Sequence, residues 1–289
     1  MTGLPDADVS VRLAALYVHP VKSCGGMALD EALLIETGLE FDRAWMVVDA
    51  RGRFVTQRHI PRMALIQPTL KLLDMVLRAP GMLALHLPLG EVGDPVRVTV
   101  WNDEVAAFDM GDLAAQWFSD FLGQPLRLVR FDPDQKRLAS AQWTGPIAAE
   151  AAFSDEYPLL VVSEASLDEL NRRLAANGES PVAMTRFRPN LVLDGLDANG
   201  EDHLDEVRFE TPEGPVRLKL VKPCSRCSIP DVDPLTAETG HAVGDALTAY
   251  RADARLNGAI TFGMNAVIVE GIDCTLRPGL VGGATYRFD

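Results

Sequence analysis

Short apolar stretches separated by turn sequences recur along most of the 289 residues, and this alternation constrains the fold more than any other feature. Val96, Val98 and Val100 alternate with polar residues, which is the pattern of a half-buried strand. Two pairs of stretches flank the turn sequences 49–52 and 211–214, each with a glycine that tolerates positive φ, so both are predicted hairpins. Further strands are predicted at residues 11–18, 191–193 and 266–269.

Helix signals are fewer than strand signals. Leu113, Trp117 and Phe121 recur at four-residue spacing, which places them on one face of a helix. Asp112 is the predicted N-cap of this helix, and Gly123 is predicted to end it. A few helices among many strands predict the fold class α+β, mainly β.

Two more helices are predicted in the later part of the chain. One begins after either Ser163 or Ser166, since each hydroxyl can cap the apolar stripe that follows. The other is predicted from Asp245 to Arg255. A polar stretch after residue 130 is the predicted boundary between two β-rich domains, residues 9–130 and residues 131–289.

The composition excludes several classes of function. A net charge of −14 argues against nucleic acid as a partner, because such binding needs a cationic surface. No run approaches the length of a membrane span and no signal peptide precedes the first strand, so a membrane is not an expected partner. Four cysteines in a chain of this length do not form a secreted disulfide framework, and a cytoplasmic location is expected.

The segment 222–227 carries the strongest chemical signal in the sequence. Cys224 and Cys227 are three residues apart with Arg226 between them, and nearby positive charge favours a thiolate over a thiol. A thiolate is both a nucleophile and a soft metal ligand. One such pair does not complete a tetrahedral zinc site, and the histidines show no metal-ligand spacing. The residues alone therefore leave open part of a metal site and a redox-active pair.

Three basic clusters stand out against the acidic background. Lys22 and Ser23 lie in a glycine-containing loop, where an ammonium group, a hydroxyl and backbone N–H groups can together hold a phosphate. Arg43 begins a second cluster of arginines, and Arg188 with Asn190 leads into a predicted strand. Each cluster alone is also explained as solvated charge. In an acidic chain, an anionic ligand must be held by local groups of this kind.

Five sequence blocks together resemble one known family, namely residues 17–23, 42–45, 187–190, 223–227 and 232–234. The first two are similar to the β-barrel domain that precedes a MOSC domain, which is named for the C-terminal region of molybdenum cofactor sulfurase. The other three resemble the MOSC signature. The resemblance spans about residues 11–285 and points to the mitochondrial amidoxime-reducing component and its bacterial relatives. It implies a MOSC β-barrel domain, an N-terminal β-barrel-like domain and a few packed helices.

The resemblance also implies roles for individual residues. Cys227 would supply a catalytic thiolate ligand to molybdenum, with Cys224 as the alternative ligand. Asp233 would handle protons, although a simple turn residue before Pro234 is an equal interpretation. Arg58 would lie at the edge of the pocket. The molybdenum cofactor (molybdopterin with its metal) would be bound by Lys22, Ser23, Arg43, Arg188, Asn190, Ser225, Arg226, Cys227 and Asn265.

The implied activity is the reduction of N-hydroxylated substrates, such as amidoximes, by two-electron removal of oxygen. Some bacterial relatives continue into a ferredoxin-like domain that holds an iron–sulfur cluster, whereas no such cysteine cluster is expected here. Electrons are therefore expected from a separate donor protein. The anchoring segment of the mitochondrial members is also expected to be absent. Two alternatives remain, a carrier of the cofactor or of sulfur without turnover, and a thiol redox protein using Cys224 and Cys227.

Overall fold

The computed structural model describes residues 7–287, and strands dominate it. The α-helices are α1 (Gly111–Leu122), α2 (Ala141–Thr144), α3 (Glu164–Ala176) and α4 (Ala242–Thr248). Within residues 7–287 no helix has the length and apolar character needed to cross a membrane. The strands are β1 (Val9–Val18), β2 (Met27–Leu29), β3 (Ala32–Ile35), β4 (Gly38–Leu39), β5 (Trp45–Asp49), β6 (Gln67–Leu70), β7 (Asp74–Arg78), β8 (Leu85–Pro88), β9 (Pro95–Val100), β10 (Asp103–Asp109), β11 (Leu126–Phe131), β12 (Leu159–Ser163), β13 (Leu191–Asp194), β14 (Leu204–Thr211), β15 (Gly214–Ser225), β16 (Ala252–Asp253), β17 (Ala259–Glu270), β18 (Thr275–Leu276) and β19 (Val281–Tyr286).

Seven strands close into a barrel in the order β12-β13-β1-β19-β14-β15-β17, and β17 pairs back to β12. Neighbouring strands are antiparallel except β12 and β13, which are parallel. Closure removes the unpaired edges that an open sheet would expose. The interior is filled by apolar side chains that include Leu13, Phe209, Leu218 and Met264. The predicted class, α+β and mainly β, is confirmed.

The barrel closes where β12 meets β17, and this junction depends on Gly263. The residue has φ +77, and a Cβ there would lie 2.7 Å from the carbonyl oxygen of Val161 and 2.6 Å from the side chain of Val162. Val161 is paired with Met264 across the same junction. Glycine is therefore required, because any side chain at this position would force the two strands apart.

The first half of the chain builds a second core around the four-stranded sheet β5-β11-β10-β9. Helix α1 packs along β11 and contributes Phe118 and Phe121 to a core shared with Trp45. The loop that follows β1 is attached to this sheet, because Val21 forms a bridge with Trp45. The loop is thus held by the barrel at one end and by the first-half sheet at the other.

Both predicted turns are present, but they form different structures. The turn at 211–214 joins β14 and β15 into the predicted hairpin, with Thr211 paired to Gly214. At 49–52 the chain also turns, with Gly52 at φ +71, and the flanking segments form a short antiparallel pairing, with a bridge between Val48 and Phe54 and backbone hydrogen bonds of 2.8–2.9 Å on either side of it. Strand β5 instead forms its ladder with β11, which comes much later in the sequence.

The N-cap predicted for the first helix was wrong, because Asp112 lies inside the helix. Helix α1 starts before Asp112, and that side chain lies in the first turn, where it pairs with Arg127 at 3.0 Å. The side chain of Asp109 instead accepts a 2.8 Å bond from the backbone N–H of Gly111. Leu113 is 74% exposed and does not belong to the buried stripe, whereas the other two residues predicted for it are buried.

The structure decides between the two caps considered for α3 and corrects the last helix. Ser163 precedes α3 and accepts a 3.1 Å bond from the backbone N–H of Ser166, so the helix starts at the earlier candidate. The helix predicted for 245–255 was wrong in its second half, because α4 ends at Thr248. The chain leaves the helix there because residues 252–253 pair with β17, while the buried Arg251 donates to a carbonyl of that strand at 2.9 Å.

Strand pairings cross the predicted boundary at residues 130 and 131. Strand β1 lies between β13 and β19 of the barrel, and β18 pairs with β3. The division into residues 9–130 and 131–289 stays a prediction. What the pairings establish is that both halves of the chain are joined by shared sheets close to the loop that follows β1.

Candidate functional site

A cleft opens between loops of the first half and the barrel strands, and it gathers nearly all of the predicted site residues. Asp233 is the exception and lies outside its lining. Cys224 and Arg58, the two weaker candidates, do line the cleft. The residues predicted to bind the cofactor all lie along it, namely Lys22, Ser23, Arg43, Arg188, Asn190, Ser225, Arg226, Cys227 and Asn265. Their placement is a structural finding, whereas their roles in binding stay predictions.

Three of these residues have a left-handed backbone. Ser23, Arg43 and Arg188 have φ values of 66, 48 and 58. Residues other than glycine rarely adopt this conformation, which costs roughly 1–3 kcal/mol at each position. At Arg43 the surroundings impose it, because its N–H donates to His19 at 3.0 Å and its carbonyl accepts from Phe153 at 3.1 Å. Strain of this kind is concentrated at functional sites, where it directs side chains that packing alone would not place.

Lys22 is buried at one end of the cleft. Its ammonium donates to the carbonyl oxygen of Phe153 at 2.7 Å and forms an ion pair with Asp155. Burial lowers the pKa of Lys22, and the charge of Asp155 opposes that effect only in part. For Asp155 burial acts in the raising direction, but the charge and hydrogen bond of Lys22, together with the charges of Arg58 and Arg43, outweigh it and hold the pKa below the usual value. Each group thus favours the charged form of the other.

Arg43 lies in the turn before β5 and links this turn to the barrel. One nitrogen donates to the carbonyl oxygen of Arg188 at 2.9 Å, and the other pairs with Asp42 and reaches Asn190 at 3.3 Å. Asp42 is buried, which alone would raise its pKa. The adjacent charge of Arg43 and a hydrogen bond from His19 lower the pKa to about 2 instead. The pair is thus fixed in its charged form, and it holds the arginine in place.

Arg188 is only partly compensated in the cleft. It donates to the carbonyl oxygen of Cys24, while its second terminal nitrogen is buried without any acceptor. Burial lowers the pKa of Arg188 to about 9, and repulsion from Arg43 acts in the same direction. A guanidinium in these surroundings is a strong binding site for an anion, because a negative oxygen would supply both the missing charge and the missing acceptor.

The two cysteines of the segment 224–227 are not equivalent. Cys224 is half-buried, and burial raises its pKa although Arg226 donates to its sulfur at 3.1 Å. Cys227 is exposed and lies on the cleft two residues after β15 ends. Arg226 also donates to the carbonyl oxygen of Phe187 at 3.0 Å, which holds its guanidinium over the cleft wall. The accessible thiol is therefore that of Cys227.

Several donors along the cleft have no acceptor within the described part of the chain. They are the second terminal nitrogen of Arg188, the Nε atoms of Arg58 and Arg226, and the hydroxyl of Ser154. Buried polar groups are nearly always hydrogen-bonded, so a cluster of exceptions indicates a missing ligand. Residues 7–287 contain no group of three His, Cys, Asp or Glu side chains that could hold a metal. A metal bound here would thus need most of its ligands from a cofactor, and the donors suit one that is anionic.

Asp233 has a structural position. One carboxylate oxygen accepts from the backbone N–H groups of Leu235 and Thr236 at 2.8 and 3.2 Å, and the other accepts from Arg186 at 2.7 Å. These bonds form the turn before and around Pro234, as the second of the two sequence interpretations expects. The position does not bring this carboxylate to the cleft with the other candidates.

Sequence reasoning missed the acidic partners of the cleft. Asp155 lies in a loop 133 residues from Lys22, and no periodicity or motif in the sequence marks it. Asp42 directly precedes Arg43 in a recognised block, so its position was a usable signal, but its burial was not. His19 was also missed. Burial, together with the charges of Arg188 and Arg43, holds its pKa well below the usual value.

Comparison with known proteins assigns the chain to a family. Residues 10–125 match the MOSC N-terminal beta barrel domain, and residues 148–279 match the MOSC domain. Mitochondrial amidoxime-reducing component 1 of Mus musculus is 38% identical over 233 residues, which cover 78% of this chain and 66% of that protein. The chain belongs to the amidoxime-reducing component family of MOSC-domain proteins. The resemblance inferred from the five sequence blocks is therefore confirmed.

Other relatives support the same assignment. Mitochondrial amidoxime reducing component 2 of Homo sapiens is 34% identical over 249 residues, covering 83% of this chain and 72% of that protein. The molybdenum cofactor sulfurase of Bos taurus is 30% identical over 266 residues, covering 86% of this chain but 30% of that protein. This MOSC-domain chain spans about two thirds of the length of the amidoxime-reducing components.

Proposed function

We propose that this protein is a molybdenum-cofactor-dependent oxidoreductase that reduces N-hydroxylated compounds such as amidoximes. Membership in the amidoxime-reducing component family supports the reaction class. The single observation that supports the proposal most directly is the group of unpartnered cationic donors beside the exposed thiol of Cys227. A cofactor with an anionic tail and a thiol-seeking metal matches both halves of that arrangement.

The proposed roles follow from the contacts of each residue. Lys22, Ser23 and Arg43 would hold the phosphate end of the cofactor, since together they bring two cations and a hydroxyl to the lining of one cleft. Arg188 supplies an unpaired guanidinium beside them. Asn190 keeps this group together, because its side chain accepts from the N–H of Leu160 at 3.1 Å and also contacts Arg43.

Cys227 is the proposed protein ligand of the metal. Its thiol is exposed to the cleft, whereas the thiol of Cys224 is half-buried and engaged by Arg226. A cysteine binds metal as the thiolate, and burial disfavours the thiolate at Cys224 by raising its pKa. Arg226 and Ser225 then lie between the two cysteines and face the cofactor. The bound molybdenum would supply the two-electron chemistry, and the protein supplies binding, orientation and the surrounding charge.

The proposed partners are a small N-hydroxylated substrate and a separate electron-donor protein. Within residues 7–287 no cysteine cluster suited to an iron–sulfur centre accompanies the cleft, since the four cysteines are free and only Cys224 and Cys227 lie on it. We further propose that the protein works in the cytoplasm, in line with its cysteine usage. Cell fractionation with an antibody against this chain tests the location.

The test of function is metal and pterin analysis of three variants made in a host that supplies the cofactor. Wild-type protein should carry about one molybdenum per chain and reduce benzamidoxime with an artificial electron donor. Cys227→Ala should lose more than nine tenths of the bound molybdenum and of the reductase activity. Cys224→Ala should keep a measurable part of each. Cys274→Ala is the matched control, because that thiol lies in the barrel core away from the cleft.

Each alternative function gives a different outcome. Protein that carries molybdenum but reduces no N-hydroxylated compound would be a carrier and would contradict the reductase proposal. Protein without molybdenum, but with a reversible disulfide between Cys224 and Cys227, would be a thiol redox protein. Equal and complete loss of metal in both cleft variants would contradict the assignment of Cys227 alone as the ligand.

A further inference from the structure

A second, wider cavity adjoins the cleft. It has a volume of about 630 Å³, and its floor is formed by residues 224–227 and Asn265, which it shares with the cleft. Small-molecule sites are typically ~300–1,000 Å³. The cavity therefore offers room for a small ligand beside Cys227, which is part of its lining.

The walls of this cavity come from two segments that are held together. One is the tip of the β9–β10 hairpin, residues 101–103, and the other is the segment 137–140. Arg137 joins them through a 2.8 Å ion pair with Asp103. The same guanidinium donates to the carbonyl oxygens of Ala152, Ser154 and Asp155 at 2.7–3.0 Å. So many bonds to one side chain make the walls a preformed structure rather than two independent loops.

Trp101 is fixed in an uncommon conformation at the mouth of the cavity. Its φ is 55, which is strained for a bulky residue, and 41% of the residue is exposed. The indole Nε1 donates to Asp155 at 3.3 Å, and the ring of Phe54 lies 5.1 Å away between centroids. The guanidinium of Arg58 lies 4.7 Å from the indole centroid. An indole held on several sides yet open to the cavity is a binding surface rather than a core residue.

The charges of the cavity do not favour a cationic ligand. Its three carboxylates are each neutralised, Asp103 by Arg137, Asp155 by Lys22 and Glu156 by Lys222. Within the described residues Arg58 forms no ion pair, and its buried Nε has no acceptor. No free negative charge remains to select a cationic substrate. What remains is the indole of Trp101 and the planar guanidinium of Arg58, both of which stack on conjugated groups.

We propose that this cavity is the substrate chamber and that Trp101 with Arg58 forms a stacking surface for a flat, conjugated group attached to the N-hydroxyl centre. This proposal rests on the proposed reductase function and adds the class of substrate. A substrate stacked on Trp101 extends its N–OH end along the shared floor toward Cys227. The enzyme is accordingly selective for aryl over alkyl N-hydroxylated compounds.

The kinetic test compares benzamidoxime with acetamidoxime. Stacking contributes about 0.5–1.5 kcal/mol beyond burial, which corresponds to a factor of roughly 2–12. Trp101→Leu should therefore lower the ratio of kcat/KM for benzamidoxime to that for acetamidoxime about five-fold, mainly through KM for benzamidoxime. Trp101→Phe should keep most of the ratio, because it retains an aromatic face. Leu113→Ala, on the exposed face of α1, is the control that should leave both substrates unchanged.

A binding test separates this proposal from the proposed function. Benzamidoxime is titrated into cofactor-loaded protein without any electron donor while indole fluorescence is recorded. Wild-type protein should show saturable quenching, and Trp101→Leu, which retains the other tryptophans, should show less than a third of it. Saturable quenching without reduction of any substrate would reject the reductase but keep the chamber. Reduction of both substrates with an unchanged ratio in Trp101→Leu, or with no quenching in the wild type, would overturn the chamber.

Discussion

Replacing Arg188 by methionine should make the cofactor-free protein more stable while removing its ability to hold the cofactor. The side chain of Arg188 is half-buried, and one terminal nitrogen has no acceptor. Methionine has a similar length and no charge, so the variant removes the uncompensated cation without leaving a large void. Replacement of a buried ion by an apolar side chain of similar volume is often stabilising.

The structure gives the size of the effect. Burial lowers the pKa of Arg188 from 12.5 to about 9. At roughly 1.4 kcal/mol for each pKa unit, the surroundings disfavour the charged form by about 5 kcal/mol. Water relieves part of this at a half-buried site, and the lost hydrogen bond to Cys24 costs about 1 kcal/mol. We therefore expect the free energy of unfolding to rise by about 1–3 kcal/mol.

The sign of the pH dependence follows from the lowered pKa. Below pH 9 the folded protein keeps the guanidinium charged, so the destabilisation is fully present at pH 7. It is relieved only as the pH rises from about 9 toward 12.5, where the unfolded chain binds the proton and the folded protein releases it. The comparison of variant and wild type is accordingly made at pH 7.

Urea unfolding of protein from a host that cannot make the cofactor measures this change. The matched control is Arg12→Met, because Arg12 forms an exposed ion pair with Asp194 and should change the unfolding free energy by less than about 1 kcal/mol. In a cofactor-competent host, Arg188→Met should retain less than a tenth of the wild-type molybdenum. A variant that loses stability by more than 1 kcal/mol, or that keeps its molybdenum, would refute the reasoning.

Two further predictions concern the barrel. Gly263→Ala should lower the free energy of unfolding by about 3 kcal/mol in urea titrations, because its Cβ would meet the β12 backbone, whereas Gly90→Ala, with open space around it, should change little. Glu201→Gln should be more stable than wild type at pH 8 and lose that advantage at pH 4.5. Burial raises the pKa of Glu201 despite hydrogen bonds from Ser163 and Ser166, so the wild type loses stability as the pH rises above 4.5. Equal stability of the Glu201→Gln variant and the wild type at both pH values would contradict this.

The local pattern of the sequence was sufficient to predict strands and local hairpins, but not strand partners that are distant in the sequence. The alternation at Val96, Val98 and Val100 marked β9 correctly, since each inward residue of a strand is chosen by the core it faces. The pairing of β5 with β11 was not predictable, because the turn at 49–52 accounts only for the short local pairing and no local signal marks the distant strand. Strand partners are selected by closure of whole sheets, and that information is spread over the entire chain.

Sequence reasoning identified the cationic residues of the candidate site but missed its carboxylates. Lys22, Arg43 and Arg188 belong to recognisable blocks, and the fold brings them to one cleft. Asp155 carries no such signal, although it neutralises Lys22 and anchors Trp101. Its role is a consequence of tertiary packing between distant loops. A carboxylate that acts by balancing charge can come from any loop that passes close enough, so no spacing identifies it.

The position of β1 between β13 and β19 has a consequence for how the protein is made. The ribosome completes β1 and the Lys22 loop first, but their neighbours in the barrel are among the last strands to emerge. At roughly 5–20 residues per second, β1 waits about 10–35 s for β13 and longer for β19. Through that interval the basic loop has no opposite wall. If the protein binds the proposed cofactor, insertion would therefore follow the synthesis of the later barrel strands, and the part of β1 that β2 does not cover must be kept from aggregating until then.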